Sequence, residues 1–266
     1  MGAMTRRVKH EKTDKKLFEI FVVACSHSNR RLCVERCKKS AGADPEAANQ
    51  QHIRLALSYI SSNNRDLARV HLEKAKAFKP RSAELYNGYA LLYQMEQEFE
   101  LAERHYRKAL AADSTYTLAR YNYSAFLFNQ GRIQEALEEM QLVTQDLAYE
   151  RRPQAFYILG LSQKRLGDVE AAVESFEKAT QLSAGFAPPF IEAAEIYFQQ
   201  QNYPLSKMAL DRFRQLSKPT SKSLWLSVRI EQRFGNRDNA ASEGLKLKNL
   251  FPYSKENLEY QAWLKQ

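Results

Sequence analysis

The sequence predicts an all-α protein built as a stack of helical hairpins. Small side chains recur with a step of 34 residues, interrupted by a single step of 36. A second row of mostly small residues follows the same spacing. Self-similarity at this period is typical of helical repeat arrays, in which each unit buries its apolar face against the next. The first row is Ala68, Ala102, Ala136, Ala172, Ser206 and Ala240, and the second is Ala56, Ala90, Ser124, Gly160, Ala194 and Val228.

Residues 84–113 illustrate one unit of this array. Apolar residues spaced by three and four positions stand on both sides of a polar turn at 96–100, so both halves are predicted to be amphipathic helices. Ala90 and Ala102 allow the two helices to approach closely, and Tyr106 fills the space beside them. Equivalent turns carry glycines that readily adopt the left-handed conformation ending a helix, namely Gly131, Gly167 and Gly235.

The repeat also predicts the domain organisation. Residues 49–254 are expected to form six hairpins, and residues 255–266 a helix that caps the last hairpin. Residues 41–48 are polar and rich in small side chains, which is typical of a linker, and residues 1–40 form a separate basic tail. The hairpins are predicted to start near residues 49, 83, 117, 153, 187 and 221.

The net charge of +9 is concentrated at the N-terminus. Residues 1–40 hold 11 Lys or Arg against 4 acidic residues, a balance of +7, whereas residues 41–266 hold 29 against 27, a balance of +2. Binding to nucleic acid requires a clustered basic face that neutralises phosphates. A nearly neutral body does not favour such a face, so nucleic acid is not an expected partner.

No residue arrangement typical of an enzyme is found. The sequence lacks a Gly-rich phosphate loop, His-Glu-x-x-His and Gly-x-Ser-x-Gly, and its five histidines are scattered. A zinc site at Cys33 and Cys37 would need two further ligands, for which His27 is the only nearby candidate. We therefore predict no catalytic residues, no cofactor and no metal.

The N-terminal tail resembles the signal of a bacterial lipoprotein. Basic residues precede an apolar run over 17–24, and Cys25 follows directly. In such signals the segment before the cysteine is removed and the cysteine is lipidated. Because Glu19 interrupts the short run, a short amphipathic helix or a mis-assigned start codon are alternatives. No stretch approaches the ~20 apolar residues of a membrane-spanning helix, so membrane contact is expected only through a lipid on Cys25.

The first helix of each hairpin is predicted to line an inner, concave wall. Its inward residues lie one helix face away from the contact with the second helix. Large aromatic side chains recur there and suit the capture of an extended or helical peptide, with Asn87 and Asn122 available for its backbone. Packing of these side chains against the neighbouring repeat is the alternative. The predicted groove residues are Leu57, Asn87, Leu91, Tyr121, Asn122, Phe128, Tyr157, Leu161, Phe198, Trp225 and Arg229.

The repeat resembles the tetratricopeptide repeat family. This resemblance implies a right-handed superhelical solenoid of six tetratricopeptide-like hairpins. The sixth unit departs from the motif, because Glu231 and Gly244 stand where large apolar residues are usual. The fourth unit matches best, through Leu159, Gly160, Gly167, Ala172, Phe176 and Ala179.

Two stretches also resemble the PilF/PilW family of type IV pilus biogenesis and stability lipoproteins. Residues 121–137 look like its third repeat and residues 237–253 like its C-terminal repeat, and Gly244 is expected in this family. The plan of lipidated cysteine, spacer, six repeats and short C-terminal helix is similar too. The distinctive residues are Asn122, Tyr123, Phe126, Leu127, Asp238, Ala240, Ala241, Gly244, Leu247, Lys248, Leu250 and Pro252.

The family resemblance implies a function as well as a fold. It implies a non-enzymatic adaptor, lipid-anchored at Cys25 on the periplasmic face of the outer membrane. Such an adaptor helps the pilus secretin to reach that membrane and assemble into its multimeric ring, and it supports pilus stability. We expect the chain itself to be a monomer. A soluble cytoplasmic repeat scaffold or co-chaperone of unrelated biology is the alternative.

Overall fold

The computed structural model describes residues 44–265, and within that range the chain forms helices and no β-strand. The described residues fall into two compact units, divided between Pro80 and Arg81. The predicted all-α fold of six hairpins and a capping helix is confirmed. The helices are α1 (Pro45–Ser61), α2 (Arg65–Phe78), α3 (Ala83–Met95), α4 (Phe99–Ala112), α5 (Thr117–Asn129), α6 (Ile133–Gln145), α7 (Arg152–Leu166), α8 (Val169–Leu182), α9 (Pro188–Gln199), α10 (Tyr203–Leu216), α11 (Ser221–Arg233), α12 (Arg237–Leu250) and α13 (Lys255–Trp263).

Consecutive helices pack in pairs, and α13 packs against both helices of the last pair. In the N-terminal unit, α1 packs against α2. Within Arg81–Gln266, the second helix of each hairpin also contacts the first helix of the next hairpin. Some first helices also contact one another directly: α3 contacts α5, α5 contacts α7, and α9 contacts α11. The second helices of this unit show no comparable contact with one another in the described residues. The first helices of this unit therefore form its more tightly spaced layer, which is the inner side of a curved stack.

The hairpins of the second unit begin at residues 83, 117, 152, 188 and 221, beside the predicted positions. The first hairpin begins earlier than predicted. The sequence predicts a linker over 41–48, but α1 begins at Pro45. The Asp44 side chain accepts a hydrogen bond from the Glu46 amide at 3.1 Å. Asp is a favoured N-cap residue and proline suits the first helical position, so the end of the expected linker is helix.

The close contact inside each hairpin depends on residues with almost no side chain. Ala90 and Ala102 are fully buried, and Tyr106 is fully buried in the same cluster. In the fourth hairpin a β-carbon at Gly160 would stand 2.6 Å from the ring of Phe176, so the helix contact there requires glycine. The remaining members of the two rows are at most 1% exposed, apart from Gly160: Ala56, Ser124, Ala194, Val228, Ala68, Ala136, Ala172, Ser206 and Ala240.

Two positions at these contacts hold serine, and each hydroxyl bonds to the facing helix. Ser124 Oγ donates to the carbonyl oxygen of Ala136 at 2.6 Å, and Ser206 Oγ donates to that of Ala194 at 2.7 Å. A buried hydroxyl without a partner would cost about 1–3 kcal/mol. These bonds therefore let serine replace alanine at the contact at little cost.

Every hairpin turns at a residue with left-handed backbone. In each turn the next amide donates to the carbonyl five residues earlier, as Asn202 N does to Tyr197 O at 2.8 Å. This bond is characteristic of a Schellman helix end. Glycine adopts the left-handed conformation freely, whereas other L-residues pay roughly 1–2 kcal/mol. The φ angles are 58° at Asn63, 65° at Gln97, 79° at Gly131, 89° at Gly167, 60° at Gln201 and 75° at Gly235.

Replacing Gln201 by glycine is expected to stabilise the protein. Relief of the left-handed strain outweighs the greater entropy of glycine in the unfolded chain, leaving a gain of about 0.5–1 kcal/mol in the free energy of unfolding. Urea denaturation followed by circular dichroism measures it. The matched control is Gln200→Gly, because Gln200 has a φ of −76° and should lose stability on substitution. Equal shifts in the two variants would contradict the explanation.

The capping helix accounts for the unusual Gly244 of the sixth hairpin. A β-carbon at Gly244 would overlap the hydroxyl of Tyr260, which belongs to α13. Tyr260 is 8% exposed and packs in one cluster with Leu224, Trp225 and Leu247. An aromatic side chain from the capping helix thus occupies the space that the repeat motif fills with a large residue of its own.

Glu231, the other departure from the motif, is buried and bonded on both carboxylate oxygens. It pairs with Lys207 of α10, and Asn236 Nδ2 donates to its second oxygen at 2.7 Å. Burial opposes ionisation of this carboxyl, but the bonds from Lys207 and Asn236 outweigh it and lower the pKa of Glu231. The polar residue therefore links the fifth hairpin to the sixth.

Replacing Gly244 by leucine is expected to displace Tyr260 and loosen α13. Overpacking at such a site typically costs about 1–3 kcal/mol. Amide hydrogen exchange should accelerate across residues 255–263 and stay unchanged in α3 to α6. Gly185→Ala is the matched control, since a β-carbon at Gly185 meets no atom within 4 Å. Unaltered exchange in α13 of the Gly244→Leu variant would show that Tyr260 does not depend on the glycine.

Candidate protein-binding surface

The candidate site is the surface of α3, α5, α7, α9 and α11 that the sequence predicts to face inward, called here the first-helix face. Most predicted groove residues of the second unit are half-buried, which leaves part of each side chain accessible. Asn87 and Trp225 are the exceptions, because their exposed fractions are only 1% and 9%. Leu57 lies on α1 in the N-terminal unit and is half-buried there.

Asn87 is not available to a peptide backbone as expected. Its side-chain carbonyl oxygen accepts a hydrogen bond from Asn122 Nδ2 at 3.0 Å, which joins α3 to α5. Asn122 remains half-buried, and Leu91 packs against the core cluster around Ala90 and Tyr106. At this end of the face, contact between neighbouring first helices has taken up the side-chain oxygen of Asn87, while its buried Nδ2 has no hydrogen-bond partner in residues 44–265.

Tyr121 and Phe128 of α5 contact residues that follow α6, in the next loop and in α7. The Tyr121 ring lies 5.8 Å from that of Tyr149, and burial raises the pKa of the Tyr121 hydroxyl. The Arg165 guanidinium lies 4.7 Å over the Phe128 ring. This geometry is a cation–π contact, and it leaves Phe128 half-buried between solvent and the neighbouring helix.

Tyr157 and Leu161 continue the face on α7. The Tyr157 ring meets Phe176 of its own hairpin at 6.0 Å and Phe186 at 5.6 Å, the latter edge to face. Burial raises the pKa of Tyr157 to about 12. Leu161 packs against the same core cluster and stays half-buried. Both side chains therefore serve the fold and still present part of their apolar surface.

Ion pairs cross the face between successive first helices. Glu192 of α9 accepts from Lys164 of α7 at 2.8 Å and pairs with Lys222 of α11 through its other oxygen. Burial alone would raise the pKa of Glu192, but the two lysines, Lys222 foremost, hold it below its usual value. Glu195 of α9 accepts from Arg229 of α11 at 2.9 Å. The charges are thus matched locally, and the face presents apolar and hydrogen-bonding groups.

Three predicted groove residues, Phe198, Trp225 and Arg229, meet in a cavity of about 410 Å³ at the C-terminal end of the face. The Arg229 guanidinium lies 4.6 Å over the Phe198 ring and 5.4 Å over the Trp225 ring. Contrary to expectation, Trp225 is not an open groove residue, because α13 covers it and Glu259 accepts from its Nε1 at 3.0 Å. This cavity is called the C-terminal pocket and is lined by Phe198, Trp225, Val228, Arg229, Gln232, Arg233 and Trp263.

Sequence reasoning missed Arg233 and Trp263 as lining residues. Trp263 lies 34 residues after Arg229, which lies 34 residues after Glu195. Extending the repeat into α13 would therefore have placed Trp263 on the same face. Its ring packs on Trp225 at 6.3 Å and is 38% exposed. The capping helix thus continues the first-helix layer as well as covering the last hairpin.

A larger concavity of about 770 Å³ lies elsewhere on the second unit. It is formed by α8, α9 and α10 with Phe234 from the end of α11, and its lining includes Phe190, Tyr197 and Met208. Met208 is 64% exposed. None of the predicted groove residues lines this concavity, so it is a surface distinct from the first-helix face.

The predicted lipidation site, Cys25, lies outside the described residues, as do Cys33, Cys37 and the basic tail 1–40. In residues 44–265 no helix combines the length and the apolar character needed to cross a membrane. The same residues hold no cluster of three or more His, Cys, Asp or Glu side chains placed to bind a metal ion.

Comparison with known proteins relates this architecture to a family. The tetratricopeptide repeat family matches residues 153–186, which form the fourth hairpin. The type IV pilus assembly protein PilF of Pseudomonas aeruginosa is 36% identical over 217 residues, which span 82% of this chain and 86% of that protein.

Solved structures agree with the sequence relationship. The structure of Pseudomonas aeruginosa PilF matches with a TM-score of 0.78 and 35% identity, over 82% of this chain and 98% of that one. PilW, described as a widely conserved type IV pilus biogenesis factor, matches with a TM-score of 0.70 over 80% of this chain and 98% of that one. At 20% identity this second likeness supports the fold alone. The chain therefore belongs to the family of tetratricopeptide-repeat type IV pilus assembly proteins that includes PilF.

Proposed function

We propose that this chain is a non-enzymatic adaptor of type IV pilus biogenesis that binds a segment of the pilus secretin. Its 36% sequence identity to the pilus assembly protein PilF supports a role in pilus biogenesis. Its tetratricopeptide repeats support protein binding as the activity. The observation that carries the proposal is the row of half-exposed apolar side chains on the first-helix face, including Phe128, Tyr157 and Leu161. Such side chains on rigid helices are typical anchors for a bound peptide.

The adaptor would act from the outer membrane. A lipid on Cys25 would hold it on the periplasmic face, where it would help the secretin to reach that membrane and assemble into its multimeric ring. The basic-apolar-cysteine pattern over residues 6–25 supports this location. Local pairing of charges on the first-helix face, as between Lys164 and Glu192, supports apolar contact with the partner over attraction to a strongly charged one.

Removing two apolar anchors should weaken retention of the secretin without unfolding the protein. The double variant Phe128→Ala with Leu161→Ala is expected to retain at least about tenfold less secretin in a pull-down from solubilised envelopes. Both side chains are half-buried, so thermal denaturation serves as the folding check. Leu142→Ala is the matched control, because Leu142 is 48% exposed on the second helix α6. Full retention by a folded double variant would remove the first-helix face from the function.

Lipidation is tested separately on the native chain. Expression in a bacterial host with type IV pili should yield a mature protein that begins at Cys25 and carries acyl chains, detected by intact mass in the outer-membrane fraction. The Cys25→Ser variant should lack the added mass and leave that fraction. An uncleaved, unmodified chain in the cytoplasmic fraction would contradict the anchored adaptor and favour a soluble scaffold.

A further inference from the structure

The C-terminal pocket combines aromatic walls with guanidinium groups. Phe198, Trp225 and Trp263 supply three aromatic rings from three different helices. Arg229 and Arg233 supply two positive charges, and none of the seven lining residues is acidic. The cavity is about 410 Å³, near the small end of the range for ligand sites. It therefore suits one or two residues of a polypeptide and not a long segment.

The two arginines differ in whether the guanidinium group already has an acidic partner. Arg229 bonds both oxygens of Glu195 through Nη2, at 3.0 and 2.9 Å. Its Nε is buried and has no hydrogen-bond partner in residues 44–265. Arg233 is exposed at the end of α11, and its guanidinium lies 5.7 Å over the Tyr203 ring. In the part of the chain that the structure describes, no ion pair is formed by Arg233, so the pocket carries an excess positive charge.

The aromatic rings and guanidinium groups of the pocket favour a ligand that carries two particular chemical groups close together. The rings favour an aromatic or large aliphatic side chain, which packs against their faces and edges. The guanidinium groups favour a carboxylate, which they bond with charge assistance. The last residue of a polypeptide carries both groups on one Cα atom, so it presents them within the span of the pocket. A segment in mid-chain must also enter and leave a cavity of this size.

We propose that the C-terminal pocket binds the carboxylate end of a partner polypeptide whose last residue is aromatic or large aliphatic. The side chain packs against Trp263 and against the parts of Phe198 and Trp225 that Arg229 leaves accessible. The carboxylate bonds to Arg233, and the Arg229 guanidinium adds a second positive charge deeper in the pocket. This assignment deepens the adaptor function proposed above and rests on it, because it names the chemistry of a partner end that the first-helix face would receive.

The two tryptophans make the pocket directly observable. The chain contains only two tryptophans, Trp225 and Trp263, and both line the pocket. The full-length native chain is titrated with the hexapeptide Gly-Ser-Gly-Ser-Gly-Phe as the free acid, and tryptophan fluorescence is followed. A saturable change with a Kd on the order of 0.1–1 mM is expected for so small a ligand. No saturable change up to about 10 mM would overturn the proposal.

Three further peptides, titrated into the unaltered protein, test separately the need for a terminal carboxylate, for a large last side chain and for a chain end. The same peptide as a C-terminal amide should bind at least about tenfold more weakly, as should the free acid ending in glycine. The third peptide, Gly-Ser-Phe-Asp-Gly-Ser as a C-terminal amide, tests whether Phe followed by an acidic side chain in mid-chain can replace a free chain end. If the amide binds as tightly as the acid, or if the internal Asp peptide matches the free acid, recognition of a chain end is excluded.

Charge variants assign the contact to Arg233. Arg233→Gln should weaken binding of the free acid at least about tenfold, to the level of the amide, and so abolish the difference between acid and amide. Arg233→Lys should restore part of it. Arg237→Gln is the matched control, because Arg237 is exposed at the start of α12 and does not line the pocket. Retention of the acid–amide difference in Arg233→Gln would exclude Arg233 as the carboxylate contact.

Failure of this proposal is distinguishable from failure of the adaptor function. If the free-acid peptide does not bind while native protein retains the secretin, the pocket assignment is wrong and the adaptor function stands. If the peptide binds with the expected dependence while native protein retains no secretin, the pocket assignment stands and the identity of the partner is wrong.

Discussion

The structure depends on the close approach of two helices at a contact where side chains are almost absent. Ala102 and its counterparts in the other hairpins are fully buried, and Gly160 leaves space only for the ring of Phe176. The larger side chains stay buried only while the two helices remain this close. If a side chain larger by one methylene group pushed the helices apart, voids would open around each ring. Where the contact holds serine, a hydrogen bond to the facing carbonyl preserves the same geometry, as at Ser124. Repetition of this contact turns six marginal hairpins into stable structure.

The last hairpin lacks a following repeat, and α13 substitutes for one. Tyr260 enters the space left by Gly244, and Glu259 accepts the indole hydrogen of Trp225. Trp263 then stands at the repeat position of Arg229 and completes an aromatic cavity. Stabilisation of the C-terminal end and formation of the pocket are therefore the same packing event. A helix that only shielded apolar surface would need neither the buried indole hydrogen bond nor a partly exposed tryptophan.

Ion pairs link successive first helices of the inner layer. Glu192 connects α7 to α11 by pairing with Lys164 and Lys222, and Arg229 is joined to Glu195. The carboxylates are only 14% exposed, which removes them from much of the screening that weakens surface pairs. These pairs match charges locally. In the described residues, unpaired positive charge remains at Arg165, which lies over Phe128, and at Arg233 in the C-terminal pocket, and the surface between them is mainly apolar and aromatic. The surface is thus suited to a polypeptide partner that brings few charges of its own.

The sequence by itself determined the number of hairpins, their positions and the residues at their contacts, because repetition and helix periodicity are properties of a single chain. It missed the start of α1, since the cap at Asp44 lies in a stretch with the composition of a linker. It assigned Phe198, Arg229 and Asn87 to one face. Phe198 and Arg229 line a common cavity, whereas Asn87 is buried between helices. Only the tertiary structure decided which face residues stay accessible and that α13 closes a pocket over Trp225. Those outcomes depend on contacts between different helices, and the spacing within one helix carries no information about what its neighbour covers.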